Sequence, residues 1–178
     1  METYIINDKG DLYYTLAQAA KLCSNESARG YSNHGIYKTI RIVSPGVCVA
    51  TDGICAMCIH NLPADYKVGV YNIRLHDKYV ELTESEMGIG NYSLAVTHNI
   101  INVEYNTDLP VLDMTVCNRG LQWKNMAICN WIRSHNYSVS VEVFSLLVGL
   151  EWVVSKCRDF VRFRNQIYAI EVFTSINI

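Results

Sequence analysis

Apolar and polar residues alternate in short runs along most of this chain, a pattern that predicts strands with one buried face. Turn-forming pairs such as Pro45-Gly46 and Asp52-Gly53 separate several of the runs. Low proline content and the absence of a Gly/Ser tract leave no obvious linker. The predicted strands cover residues 3–6, 37–43, 47–51, 54–60, 68–73, 78–83, 100–116, 157–163 and 166–174.

Two segments have the pattern of helices that pack on the sheet, and residues 121–134 could form a further helix that carries Trp123 and Trp131. Asp11 can cap a helix running to about residue 24, with Leu12, Leu16 and Cys23 among the apolar residues on one side. Ser140 can cap a second, strongly apolar helix over residues 141–152. The expected fold is therefore α+β, with helices packed on an antiparallel sheet. We expect one domain of two βαβ-type halves, about 1–97 and 137–178, with an inserted or irregular segment at about 98–136.

Charge and hydropathy exclude several classes of protein. The chain has 178 residues, a formal net charge of −2 and a pI of about 6.2, so no global positive field attracts DNA or an anionic membrane. Its longest apolar stretch, around 143–154, is interrupted by Gly149 and Glu151 and falls short of the ~20 residues that span a bilayer. The start lacks the basic region of a signal peptide. We therefore expect a cytoplasmic protein with no membrane association.

The seven cysteines are scattered and odd in number, which is typical of reduced thiols in the cytosol. The Cys55-x-x-Cys58 spacing, with His60 close behind, raises the question of a zinc site. In a strand, however, Cys55 and Cys58 point to opposite faces, and no second CxxC supplies further ligands. We expect buried thiols, no metal and no cofactor.

No motif for catalysis stands out. The chain lacks G-x-S-x-G, a P-loop, G-x-G-x-x-G and H-E-x-x-H. Asp52 with His60, and Asp77 with His76, could be imagined as acid/base pairs, but turn-forming aspartates explain them better. We expect no enzyme; a small hydrolase or metal enzyme has no motif behind it.

The predicted strand 157–163 and the residues on either side of it carry several cations that could contact the phosphates of a nucleic acid. Phe160 lies among them and could stack on a base. At a period of two, these residues are expected to share one face: Lys156, Arg158, Arg162 and Arg164. The alternative is an exposed strand face that charge protects from aggregation, which is the commoner situation. A second basic and aromatic stretch, 119–135, could lie on nucleic acid or pack its tryptophans against the core.

Two stretches resemble the bacterial-type sliding clamp, the β subunit of the replicative DNA polymerase, and its phage relatives. The first runs from R-I-V at 41–43 through V-A-T-D-G at 49–53 to His60, followed by the strand pair 69–73 and 78–82. The second combines 137–147 with two closing strands, 160–163 and 168–173. The resemblance touches roughly half the chain and lies in the order of the pieces.

This resemblance implies a clamp-like fold and a phage-type accessory protein of DNA replication. Such a protein acts as a homo-oligomeric processivity clamp on double-stranded DNA and docks a DNA polymerase or another replication protein. Weak phosphate contacts are then expected from Lys21, Arg29 and Lys38, in addition to Arg158, Arg162 and Arg164 on the strand face. A partner groove is expected to be bordered by Val172 and Phe173.

A second hypothesis is a clamp-fold protein-interaction module that does not bind DNA, such as an inhibitor or adaptor of a host or viral replication or defence protein. The predicted second helix supports it, because that helix carries Glu142 and Glu151 and no basic residue. Salt-dependent retention on DNA separates the two hypotheses, because phosphate contacts weaken steeply with salt.

Overall fold

The structure is a computed structural model that describes residues 1–7, 9–23, 39–51, 55–85, 100–115 and 146–175. These residues form ten strands and one helix. In chain order the elements are β1 (Thr3–Asn7), α1 (Asp11–Cys23), β2 (Thr39–Ser44), β3 (Val47–Thr51), β4 (Cys55–Ile59), β5 (Gly69–Leu75), β6 (Tyr79–Glu84), β7 (Thr107–Asp113), β8 (Glu151–Lys156), β9 (Phe160–Asn165) and β10 (Ile170–Ser175). Within the described ranges, no helix has the length and apolar character needed to cross a membrane.

All ten strands belong to one sheet, and every neighbouring pair is antiparallel. Their order is β1-β6-β5-β2-β3-β4-β10-β9-β8-β7. Pairing of β4 with β10 joins the strands of residues 3–84 to those of residues 107–175. The C-terminal strand β10 therefore lies inside the sheet, next to β4.

The helix α1 packs on one side of this sheet, against β1, β2, β3, β5 and β6. Its buried side includes Leu16, Ala19 and Ala20, and the two small alanines let the helix approach the strands closely. Gly10 precedes it with a φ of 97°, a left-handed conformation that glycine adopts without strain. The helix predicted at 11–24 is confirmed.

The side of the sheet that carries α1, here called the helix face, holds most of the apolar core. One row of directly paired residues crosses six strands on this face: Ala50, Met57, Val172, Phe163, Val154 and Leu109. Burying an aliphatic or phenyl side chain of this size contributes about 1.5–3 kcal/mol. A one-residue slip of any of these strands would turn its own buried side chains to the opposite side, so this row favours one register.

The opposite side of the sheet is here called the second face. A smaller apolar cluster forms there from Ala56, Cys58, Phe173 and Ile100, with Tyr105 packed against it. The Tyr105 hydroxyl donates a hydrogen bond of 2.6 Å to the carbonyl of Ile100. This bond joins the two ends of the segment 100–105, which packs on the cluster.

The predicted helix at 141–152 is wrong at its C-terminal end. Glu151 begins β8, and Trp152 is buried in that strand, where its Nε1–H donates to the Leu147 carbonyl at 2.8 Å. Trp152 and Val154 point into the core while Val153 points out, so the period here is two. Residues 141–145 lie outside the described part. The described residues are mostly β, with α1 as their one full helix, so the fold is not clearly the predicted α+β.

Most of the predicted strands are confirmed, with shifted ends. The closing hairpin turns at residues 166–169 rather than at 164–165, because β9 continues to Asn165 and Ala169 takes a left-handed φ of 54°. The segment 98–136 also contributes more than irregular structure, since it contains β7, which pairs with β8. The division into halves at 1–97 and 137–178 stays a prediction.

Candidate functional site

Five polar side chains gather on the second face, where β4, β10 and β9 lie side by side. They form what is called here the polar cluster: Cys58, His60, Glu171, Arg162 and Arg164. Cys58 lies in β4 directly opposite Glu171 of β10, and Glu171 in turn lies opposite Arg164 of β9. His60 follows the end of β4, and its backbone N–H donates a hydrogen bond to the carbonyl of Ala169, the last residue of the turn before β10.

Glu171 is the centre of this cluster. Its Oε1 is 2.5 Å from Nε2 of His60, and its Oε2 is 3.8 Å from Nε of Arg162. Arg162 is fixed from two further sides, because its Nη2 donates to Ser155 Oγ at 3.0 Å and its guanidinium lies 5.1 Å from the ring centre of Tyr105. The two oxygens of one carboxylate therefore serve two different partners.

The electrostatics favour a charged pair between His60 and Glu171. The hydrogen bond with Cys58, followed by the one with Glu171, raises the pKa of His60 to about 10 against the opposing effect of desolvation. Burial alone would raise the pKa of Glu171, but its hydrogen bond to His60 and the charges of His60 and Arg162 bring it below the ordinary value. The imidazolium and the carboxylate are thus both charged at neutral pH.

A pocket of ≈ 360 Å³ opens beside the cluster. Its lining comes from His60, Glu171, Arg164 and the turn residues between β9 and β10. A volume of this order lies at the lower end of the range of small-molecule pockets.

The described members of the six predicted DNA contacts do not lie on one surface. Lys21 lies on α1 and so belongs to the helix face, whereas Arg162 and Arg164 lie on the second face. One stretch of duplex could not touch both sets through a single copy of the chain. Arg29 and Lys38 lie outside the described residues.

The strand face of four cations is also a smaller surface than predicted. Arg162 and Arg164 share a side with Phe160, as expected. Arg158, however, lies in the turn between β8 and β9, and Lys156 pairs with Val161 and so points to the helix face. The turn interrupts the period of two that the prediction carried through residues 156–164.

Val172 and Phe173 do not border a common groove. Both are buried, Val172 in the core of the helix face and Phe173 in the small cluster of the second face. As neighbours in a strand they point in opposite directions. The groove carried over from the clamp resemblance therefore has no counterpart at these two side chains.

The predicted opposition of Cys55 and Cys58 is confirmed, since Cys55 lies in the core of the helix face and Cys58 in the cluster of the second face. Sequence reasoning missed Glu171, which is 111 residues from His60 along the chain. The available signal was an acid inside the apolar run I-E-V-F at 170–173. Only the β4–β10 register, however, brings it to His60.

Comparison with known proteins gives a partial structural likeness and no sequence match. No protein-family model and no curated protein matches the chain. Two solved structures that it is similar to are the β subunit of the DNA polymerase of Streptococcus pyogenes and the Helicobacter pylori β clamp bound to a DNA ligase peptide. The TM-score is 0.47 for both, with 11% and 8% sequence identity respectively.

These alignments cover 99% and 100% of this chain but only 65% and 67% of the two clamp subunits. This chain thus spans about two thirds of the length of the subunits it resembles. The partial resemblance to bacterial clamp subunits that the sequence predicts is present in the structure.

Proposed function

We propose that this chain is a non-catalytic, clamp-like accessory protein of DNA replication that assembles as a homo-oligomer on double-stranded DNA. A DNA polymerase or another replication protein would be its second partner. The observation that carries the proposal is a single antiparallel sheet of ten strands whose two end strands, β1 and β7, come from different parts of the chain.

Within the described residues, β1 pairs only with β6 and β7 pairs only with β8. Among the described strands, each end strand therefore has one edge without a strand partner, which another chain could extend. Pairing β1 of one copy with β7 of the next is a heterologous contact, which closes into a ring when the rotation between copies allows it. Pro110 lies at the register shift of β7, so it confines pairing to part of that edge.

The helix face would then be the side nearest DNA, and its electrostatics predict loose binding. The charged residues of α1 are Asp11 and Lys21, which cancel. Retention on DNA would rest on the closed shape, with weak phosphate contacts from Lys21, Arg29 and Lys38. Such contacts lose strength steeply as salt rises.

The same cancellation favours a second candidate function, a clamp-like protein-interaction module without DNA binding. A helix with no net charge, on a chain of net charge −2, exerts little electrostatic attraction on the phosphates of DNA. In this case the sheet edges or the second face would hold a protein partner.

The edges provide the test. Ile5 of β1 and Val111 of β7 are 50% and 51% exposed, so lysine at either position is tolerated by the fold. The double variant Ile5→Lys/Val111→Lys places like charges on both edges and opposes their pairing. A matched control is Ile167→Lys, in the β9–β10 turn and 80% exposed.

Light scattering after size exclusion measures the outcome. We expect an oligomer for the wild type and the control, and a monomer for the double variant. A wild-type monomer would contradict the assembly through edges. An oligomer whose DNA binding is undetectable even at low salt would favour the interaction module.

A further inference from the structure

The polar cluster holds three side chains with the donor atoms of a metal site. Ligand atoms of Cys58, His60 and Glu171 all lie within 4.8 Å of one another. They come from two neighbouring strands, with Cys58 and Glu171 directly paired and His60 two residues beyond Cys58 on the same face. We propose that Cys58, His60 and Glu171 bind one Zn²⁺ ion at the edge of the pocket on the second face.

The donor set selects the ion. A thiolate, an imidazole and a carboxylate are the three ligand types that Zn²⁺ accepts in proteins. A thiolate is a poor ligand for Mg²⁺ or Ca²⁺, which take oxygen ligands. Cys58 and His60 would each release a proton on binding, so that two anionic ligands and one neutral imidazole balance the charge of the divalent ion.

The distances fit after a small movement. Zinc bonds of about 2.0–2.3 Å at tetrahedral angles place ligand atoms roughly 3.3–3.6 Å apart. The present separation of 2.5 Å between His60 Nε2 and Glu171 Oε1 belongs to their direct hydrogen bond. The ion would replace the shared proton and part these two atoms by about 1 Å, which rotation of the partly exposed His60 side chain permits.

Arg162 supports the site rather than competing for it. Its Nε approaches Oε2 of Glu171, which leaves Oε1 for the ion. A carboxylate that binds a metal in a protein usually also accepts a hydrogen bond from a second residue. Ser155 and the ring of Tyr105 keep Arg162 in that position. Arg164 is the second cation beside Glu171, and its charge weakens the attraction for a metal ion.

Three protein ligands leave the fourth position of a tetrahedral ion to water or to a ligand in the pocket. Cys58 is 2% exposed and would bind the ion on the side of the protein interior. His60 and the pocket would lie on the solvent side of the ion. The site would tie β4 to β10 at the seam between the two parts of the sheet.

Titration of the metal-free, full-length chain with Co²⁺, a spectroscopic substitute for Zn²⁺, tests the proposal. We expect one equivalent to bind with a thiolate-to-metal charge-transfer band and the visible bands of a tetrahedral ion, and Zn²⁺ to displace it. Cys58→Ser should abolish the charge-transfer band. Glu171→Gln should weaken Zn²⁺ binding by at least about 10-fold, since even outer partners of metal ligands contribute that much.

The matched control is Cys157→Ser, which removes a half-buried thiol outside the three-residue site and should leave the spectrum unchanged. Circular dichroism establishes that each variant is folded. If Cys58→Ser does not fold, Glu171→Gln decides, because it keeps the shape of a side chain at the pocket. Absence of a thiolate band in the wild type, its persistence in Cys58→Ser, or wild-type affinity in Glu171→Gln would overturn the proposal.

Discussion

Phe173 offers a sharp test of whether the last strand serves the core or a partner groove. Its side chain is 1% exposed and packs in the cluster of the second face with Ala56, Cys58 and Ile100, its ring centre 5.7 Å from that of Tyr105. Truncation of a buried phenylalanine to alanine removes about 3–5 kcal/mol of stability. We expect Phe173→Ala to lose at least about 3 kcal/mol, the lower end of this range.

Urea unfolding followed by tryptophan fluorescence measures this loss. With a slope of about 1–3 kcal/mol per M, the midpoint should fall by at least about 1 M. Ile167→Ala, at the exposed turn of the same hairpin, should change the free energy of unfolding by no more than about 0.5 kcal/mol. A Phe173→Ala variant as stable as the wild type, but deficient in binding a replication protein, would refute the burial argument and restore the groove.

Three further predictions follow from single contacts. Trp152→Phe removes the hydrogen bond to the buried Leu147 carbonyl and should lower the free energy of unfolding by about 1–3 kcal/mol in urea melts; a change near zero would contradict this bond. Gly149→Ala meets no atom within 4 Å but keeps a φ of 88°, so backbone strain alone should cost about 1–2 kcal/mol by the same assay. Burial, and then the neighbouring Cys23 and Cys58, raise the pKa of the Cys48 thiol, so alkylation of the native protein at pH 8 should modify Cys157 before Cys48, as peptide mass spectrometry would report. Modification of Cys48 before Cys157 would contradict its burial.

The sequence predicts the strands well where one face is buried and turn residues mark the ends. The hairpin of β2 and β3 around Pro45-Gly46 and the helix α1 are examples, because their patterns are local and unambiguous. The run around Trp152 is read wrongly because a short apolar segment of mixed composition fits both a buried helix and a strand. Only the cross-strand partner of Trp152, Leu112, distinguishes the two.

The candidate site is predicted less well than the fold. Alternation along β4 correctly separates Cys55 from Cys58, since that rule needs only the strand itself. The meeting of His60 with Glu171 depends on the pairing of β4 with β10, which no local pattern encodes. The same limit affects Arg158 and Arg162, whose shared face was inferred by counting through a turn.

The central claim, a homo-oligomer that holds DNA by its shape, is tested most directly by comparing circular with linear DNA. The mass of the protein in solution, measured by light scattering alone and with each DNA, gives both the copy number and the retention. The account predicts a closed oligomer that remains on circular DNA at moderate salt and is lost when the same DNA is linearised. A monomer, or an oligomer that remains equally on both forms or on neither, would contradict it.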